Sequence, residues 1–246
     1  MGIDHTTIPD TNYGILLLDK PVGWTSNQAL QKVKRLLQAK KAGHTGSLDP
    51  FATGVLPVCL GKATKIAQRL IDADKTYIAC ICFGASTTTG DPEGVFTSKD
   101  QPIPSRAALL ETLRQFLGHS QQIPPMYSAL KVQGQPLYKL ARQGKTISRS
   151  ARDIYIHHLE LLDYHGPQAT VAVCCSKGTY IRTLAEDIAQ RLRTSAYLQT
   201  LCRTAVGELK IEHAHTMTKI MASCQQERIS ELLLHPQDFL QVLVSK

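Results

Sequence analysis

Asp49 stands in the stretch GHTGSLDPFATGVLPVCLG, Gly43 to Gly61, where Gly43, Gly46, Gly54, Gly61, Pro50 and Pro57 forbid a regular helix through the first half. A carboxylate in such a loop is placed by backbone, so it can face a ligand at fixed geometry. The same residue could equally be a turn aspartate accepting backbone N–H groups. Charge favours the first reading. Between Asp19 and Asp72, Asp49 is the sole acid among Lys20, Lys32, Lys34, Arg35, Lys40, Lys41, Lys62, Lys65 and Arg69. Nearby positive charge keeps a carboxylate ionised at neutral pH, which suits a nucleophile or base and not a general acid. Arg182 is the second residue of interest. It falls in the first turn of a helix expected over 180–192, where a cation opposes the helix dipole, so something other than local helix stability must hold it.

Other chemistries fail on spacing. Gly61 and Lys62 are followed by Ala63, and Leu56 stands where a P-loop needs its first glycine. There is no G-x-S-x-G elbow and no H-x-E with P-C-x-x-C. The seven cysteines include no C-x-x-C pair, and the histidines of 157–158 and 213–215 lack nearby thiols or clustered carboxylates. No metal and no cofactor is expected.

The elements that must position these residues are readable in outline. Ile15 to Leu18 is a strand stopped by Lys20, Pro21 and Gly23. A helix capped by Thr25 or Ser26 follows, with Leu30, Val33 and Leu37 inward and Gly43 as terminator. A strand is expected at Val55 to Leu60, a helix at Ala63 to Ile71, and strands at Tyr77 to Phe83, Ile154 to Asp163 and Ala169 to Cys175. The turn-rich segment 86–104 precedes a helix marked by Leu109, Leu113, Phe116 and Leu117. The helix over 180–192 is expected to take Thr179 as its N-cap, and the last 35 residues give only short helical patterns, notably Ile229 to Leu234.

Charge segregation points to a polyanion. The 246 residues carry a net +8, with 43% hydrophobic and 20% charged residues, enough for a folded core. From Arg114 to Arg152 there is no acid at all, and Tyr164 to Ala185 has none either. Tyr127, Tyr138 and Met126 interleave flat or soft groups with the cations, as single-stranded RNA contacts require. The longest apolar runs fall far short of the roughly 20 residues that cross a bilayer. The N-terminus has no signal-peptide pattern, so no membrane partner and a cytoplasmic address are expected.

The strings GILLLDKPVGWTSNQALQKVK, AGHTGSLDPFATGVLPVCLGKATK, DKTYIA, QIPPMYSALKVQGQPLYKLARQG and CSKGTYIRTLAEDI, in that order, resemble the bacterial TruB family. That family converts the uridine at position 55 of the tRNA T-loop to pseudouridine, and the resemblance covers roughly residues 13 to 210. It implies that Asp49 is the nucleophile acting on a flipped-out base, through either the uracil ring or the sugar. It further implies that Arg182 pairs with that carboxylate and that Tyr77 stacks on the base and helps remove a proton late in the reaction. His44, Tyr77, Tyr180 and Leu201 would contact the nucleotide. Lys20, Lys131, Lys139, Arg142 and Lys145 are expected to bind RNA, four of them in an acid-free insertion over 119–152.

The expectation is therefore an α+β pseudouridine synthase fold, a mixed, mostly antiparallel sheet flanked by helices, with the catalytic domain over 10–235. The family's small C-terminal RNA-binding domain, of PUA-like type, is expected to be absent after Lys246. The partner would be the T-loop and T-stem of tRNA, met by a monomer. The alternative is a non-catalytic tRNA binder or folding chaperone using the same cations.

Overall fold

Ile15 to Leu18 lie at 2% exposure or less, which is why β1 (Gly14–Lys20) is covered on both faces instead of alternating in and out. The computed structural model describes residues 13–132 and 134–235, so positions 10 to 12 of the expected catalytic span lie outside the described residues. Two compact units are present. One comprises the residues up to Pro50, Gly54–Ile71 and those from Glu208; the other comprises Phe51–Thr53 and Asp72–Gly207.

In the first unit, α1 (Ser26–Leu36) opens on a capping box between Thr25 and Gln28. Its buried Ala29, Leu30 and Val33 join Leu16, Leu18, Leu56, Val58 and Leu60 in one core. The helix stops earlier than expected. Gln38 takes φ of 48°, its N–H bonds the Arg35 carbonyl, and the Ala39 N–H bonds that of Lys34, a Schellman turn. Gly43 is not the terminator; it lies in β2 (Ala42–His44), which pairs with β3 (Thr53–Leu60). β3 runs antiparallel to β1, from Gly14 opposite Leu60 to Lys20 opposite Gly54. The single helix expected from Ala63 is instead a 3-10 segment, Gly61–Ile66, followed by α2 (Ala67–Asp72).

The second unit is built on β4 (Lys75–Phe83), whose buried residues recur at every second position. A hairpin of β5 (Ser86–Thr87) and β6 (Phe96–Ser98) leads to α3 (Arg106–Arg114) and β7 (Gly118–Gln122). Then come the short ribbon of β8 (Lys131–Val132) and β9 (Gln135–Pro136), and α4 (Leu137–Arg142). β10 (Arg152–His165) and β11 (Gln168–Cys175) form an antiparallel pair. α5 (Ile181–Arg191) and β12 (Ala196–Val206) complete the unit. The strand order is β12-β4-β11-β10-β7; α5 packs on β12 and β4, and α3 on β10. β7 pairs with β10 from Gly118 opposite Ile156 to Gln122 opposite Arg152. Residues 119–122 and 152 of the expected insertion therefore belong to the sheet.

β12 was not expected as a strand. Register shifts between Leu198 and Thr200 and between Arg203 and Ala205 break its period-two pattern. Helix α5 begins at Ile181 with Tyr180 as N-cap, while the Thr179 hydroxyl bonds the Ser176 carbonyl, so Thr179 is not the cap. The chain returns to the first unit through β13 (Leu209–Lys210), β14 (His215–Thr216), α6 (Met217–Gln225) and β15 (Leu233–Leu234). β14 lies parallel to β1 and β15 antiparallel to it, which makes the sheet mixed. Among the described residues no helix is long and apolar enough to cross a membrane.

Candidate functional site

Asp49 is half-buried, flanked by two residues that the first unit pins firmly. The Ser26 hydroxyl accepts from the Leu48 N–H at 2.7 Å and donates to the Leu48 carbonyl at 3.0 Å. On the other side the Pro50 carbonyl accepts from the Gly23 N–H at 2.8 Å and from Lys20 Nζ at 3.2 Å. Both neighbours of the carboxylate are thus fixed through backbone atoms, and the carboxylate itself stays within reach of solvent. His44 is half-buried on β2, opposite Val58.

Lys20 does not serve as an RNA contact. It is 0% exposed, and its ammonium donates to the carbonyls of Pro21 at 2.9 Å, Trp24 at 2.6 Å and Pro50. Burying an ammonium is tolerable only with such partners. Here the charge closes the turn that carries the loop.

In the second unit, the Arg182 side chain is 4% exposed. Its guanidinium donates to the carbonyls of Thr89 at 2.7 Å and Tyr127 at 2.6 Å, and lies 3.5 Å from an Asp91 carboxylate oxygen. The misplaced cation of the sequence is accounted for by these partners. Asp91 is held in turn by the Thr89 hydroxyl at 2.5 Å and the Glu93 N–H at 3.0 Å. Gly90 takes φ of +71°, a conformation that strains any residue with a Cβ, which is why glycine suits this turn.

Tyr180 is fixed by a reciprocal pair with Gln122, whose amide donates to its carbonyl at 3.1 Å and accepts from its N–H at 2.8 Å. Tyr77 and Leu201 are on the buried face of β4 and β12, at 8% and 7% exposure. Arg203 lies directly opposite Tyr77, is 1% exposed, and shares a side-chain hydrogen bond with it.

Sequence reasoning missed Asp91, Gln122 and Arg203. Asp91 sat in a turn-rich run that read as punctuation, Gln122 is an ordinary amide, and Arg203 lay in a strand that went unassigned. An arginine among Leu198, Leu201 and Val206 was the available signal.

The insertion keeps Lys131, Lys139, Arg142 and Lys145 exposed, while Leu137 and Leu140 anchor α4. The Arg142 guanidinium sits 5.5 Å from the centre of the Tyr138 ring. In the first unit a cleft of about 340 Å³ is lined by Lys40, Lys41, Lys62 and Lys65. Among the described residues no three His, Cys, Asp or Glu side chains gather as metal ligands.

The model of the TruB family pseudouridylate synthase N-terminal domain matches residues 34–181. A tRNA pseudouridine synthase B of Cupriavidus metallidurans is 53% identical over 218 residues, 88% of this chain and 69% of its own length. One from Pseudomonas paraeruginosa is 51% identical over 228 residues, 92% and 75% of the two chains. Among solved structures, a chain of a Cbf5-Nop10-Gar1 complex is similar at TM-score 0.73 and 27% identity; the match covers 92% of this chain and 61% of that one. A chain of an H/ACA RNP bound to a substrate RNA containing 2'-deoxyuridine, at 24% identity and TM-score 0.71, shares the fold. The α+β arrangement is the pseudouridine synthase fold, and the chain belongs to the TruB family of pseudouridylate synthases.

Proposed function

We propose that this chain is a cytoplasmic enzyme, active as a monomer, that isomerises uridine to pseudouridine at position 55 in the T-loop of tRNA. The observation that carries the reading is its 53% identity, across 88% of its length, to a protein named tRNA pseudouridine synthase B. In this reading Asp49 is the nucleophile and Arg182 the cation that keeps it anionic. The half-buried carboxylate between two pinned residues supports the first role, and a nine-tenths-buried guanidinium fixed by three oxygens supports the second. The reaction is an isomerisation, so it needs neither a redox partner nor an energy source.

The target base must leave the RNA stack, at a cost of about a few kcal/mol. Phosphate contacts by the exposed cations of the insertion and by the lysine cleft would offset that cost. Recognition is then mainly of the folded T-loop shape, with few bases read.

The test is incubation with an unmodified tRNA transcript, followed by carbodiimide-blocked reverse transcription to map pseudouridine. Wild-type chain should give a single stop at the T-loop uridine. Asp49→Asn should bind tRNA almost normally and give no product, a loss of at least roughly 1,000-fold. Turnover by that variant removes Asp49 from its role. Tight binding without any product from the wild type favours a tRNA chaperone, and cut RNA on a gel favours a nuclease.

A further inference from the structure

We infer that Arg203 is the positioning residue for Tyr77, fixing the phenol against the target base through the hydrogen bond between their side chains. This inference rests on the reading of Tyr77 as the tyrosine that meets the base. Tyr77 is flanked across the sheet by Val173 on β11 and by Arg203 on β12, all three on the same buried face. With an apolar neighbour on one side, the guanidinium is the polar group that the strand register presents to the phenol on the other. An arginine at 1% exposure is strongly unfavourable without a partner that accepts its hydrogen bonds. It shares a side-chain hydrogen bond with Tyr77. Burial presses the guanidinium toward its neutral form, and the charge and hydrogen bond of Tyr77 oppose that. By reciprocity the cation favours the phenolate.

The consequence for the reaction concerns its last proton. Once uracil has rejoined the sugar through carbon, the proton on that carbon passes to the phenolate oxygen. The C–H electron pair restores the ring double bond, and N1 takes a proton from water. Arg203 touches none of the reacting atoms and acts through the tyrosine. The other titratable groups beside the pair are Lys75 on β4, which feels the charge of Arg203, and Cys175 opposite it on β11; α5, which carries Arg182 and Glu186, packs on both β4 and β12. Asp72 and Asp74 lie just before β4. Burial, and next the charge of Arg203, lower the Lys75 pKa to about 8.

Tyrosine ring-carbon NMR on the full chain tests this without RNA. The signal missing from Tyr77→Phe reports Tyr77 and should titrate below the ordinary tyrosine value of about 10. Titration at or above that value overturns the proposal, whatever the variants do. In Arg203→Met the signal should move up by at least about one pH unit, with Arg203→Lys between the two. On T-loop RNA, Arg203→Met should lower kcat roughly 100-fold with little change in KM, and Arg203→Lys should restore part of it. An unmoved Tyr77 titration in a folded Arg203→Met chain sinks the pairing. A low Tyr77 titration in a chain that makes no pseudouridine would instead sink the proposed activity and leave the pairing standing.

Discussion

Cations do opposite work around the Asp49 loop and in the insertion. At the loop, Lys20 turns inward and spends its charge on three carbonyls, one of them adjacent to the carboxylate. In the insertion, Lys131, Lys139, Arg142 and Lys145 turn outward while Leu137 and Leu140 hold the helix down. The contrast teaches that sequence charge counts cations without giving their direction. A buried cation shapes backbone and is felt in stability; an exposed one is felt in salt-dependent affinity.

The largest effect should come from Lys20→Met, which removes the ammonium from the carbonyls of Pro21 and Trp24 and leaves Pro50 with only its Gly23 donor. A loss of about 3 kcal/mol in urea unfolding is expected, together with loss of activity. Wild-type stability in that variant, with weakened tRNA binding, would put Lys20 back among the RNA contacts. Lys75 gives the next largest. Its folded pKa of about 8 lies below the ordinary lysine value of 10.5, so between those pH values the unfolded chain holds the extra proton. Stability contributed at this site rises as pH climbs through that window, by up to about 2 kcal/mol, and is flat below it. Unfolding midpoints from pH 7.5 to 10.5 should therefore show a slope that Lys75→Met removes; equal slopes in both chains would contradict it.

Ser26→Ala sharpens the picture of the loop. Losing both bonds to Leu48 should cost about 1–2 kcal/mol and lower kcat more than it raises KM, because the carboxylate loses its fixed neighbour. An unchanged kcat would mean that Pro50 alone suffices. The smallest stability effect belongs to the insertion. Replacing Lys139, Arg142 and Lys145 by Ala should shift unfolding by under about 0.5 kcal/mol, yet flatten the salt dependence of tRNA binding. An unaltered salt slope would show that these charges meet only water.

Much of the scaffold was legible because it is local. A helix cap at Thr25 or Ser26, the apolar run at Ile15 to Leu18, the strand at Tyr77 to Phe83 and the Gly-Pro loop around Asp49 all follow from neighbours a few residues apart. Errors cluster where that locality fails. α1 ended at Leu36 because Gln38, a non-glycine residue, took a left-handed conformation just beyond it, and β12 was hidden by its two register shifts.

By itself the amino-acid sequence determined which residue types were available: a carboxylate in a glycine-bent loop, an arginine at the wrong end of a helix, and cations in acid-free runs. Only the tertiary structure decided which groups meet. Arg203 opposite Tyr77, Gln122 bridging to Tyr180, and Arg182 beside Asp91 each join residues far apart in the chain. Such pairings depend on strand register and helix placement, which the whole sheet sets through burial, so no short stretch of residues could specify them.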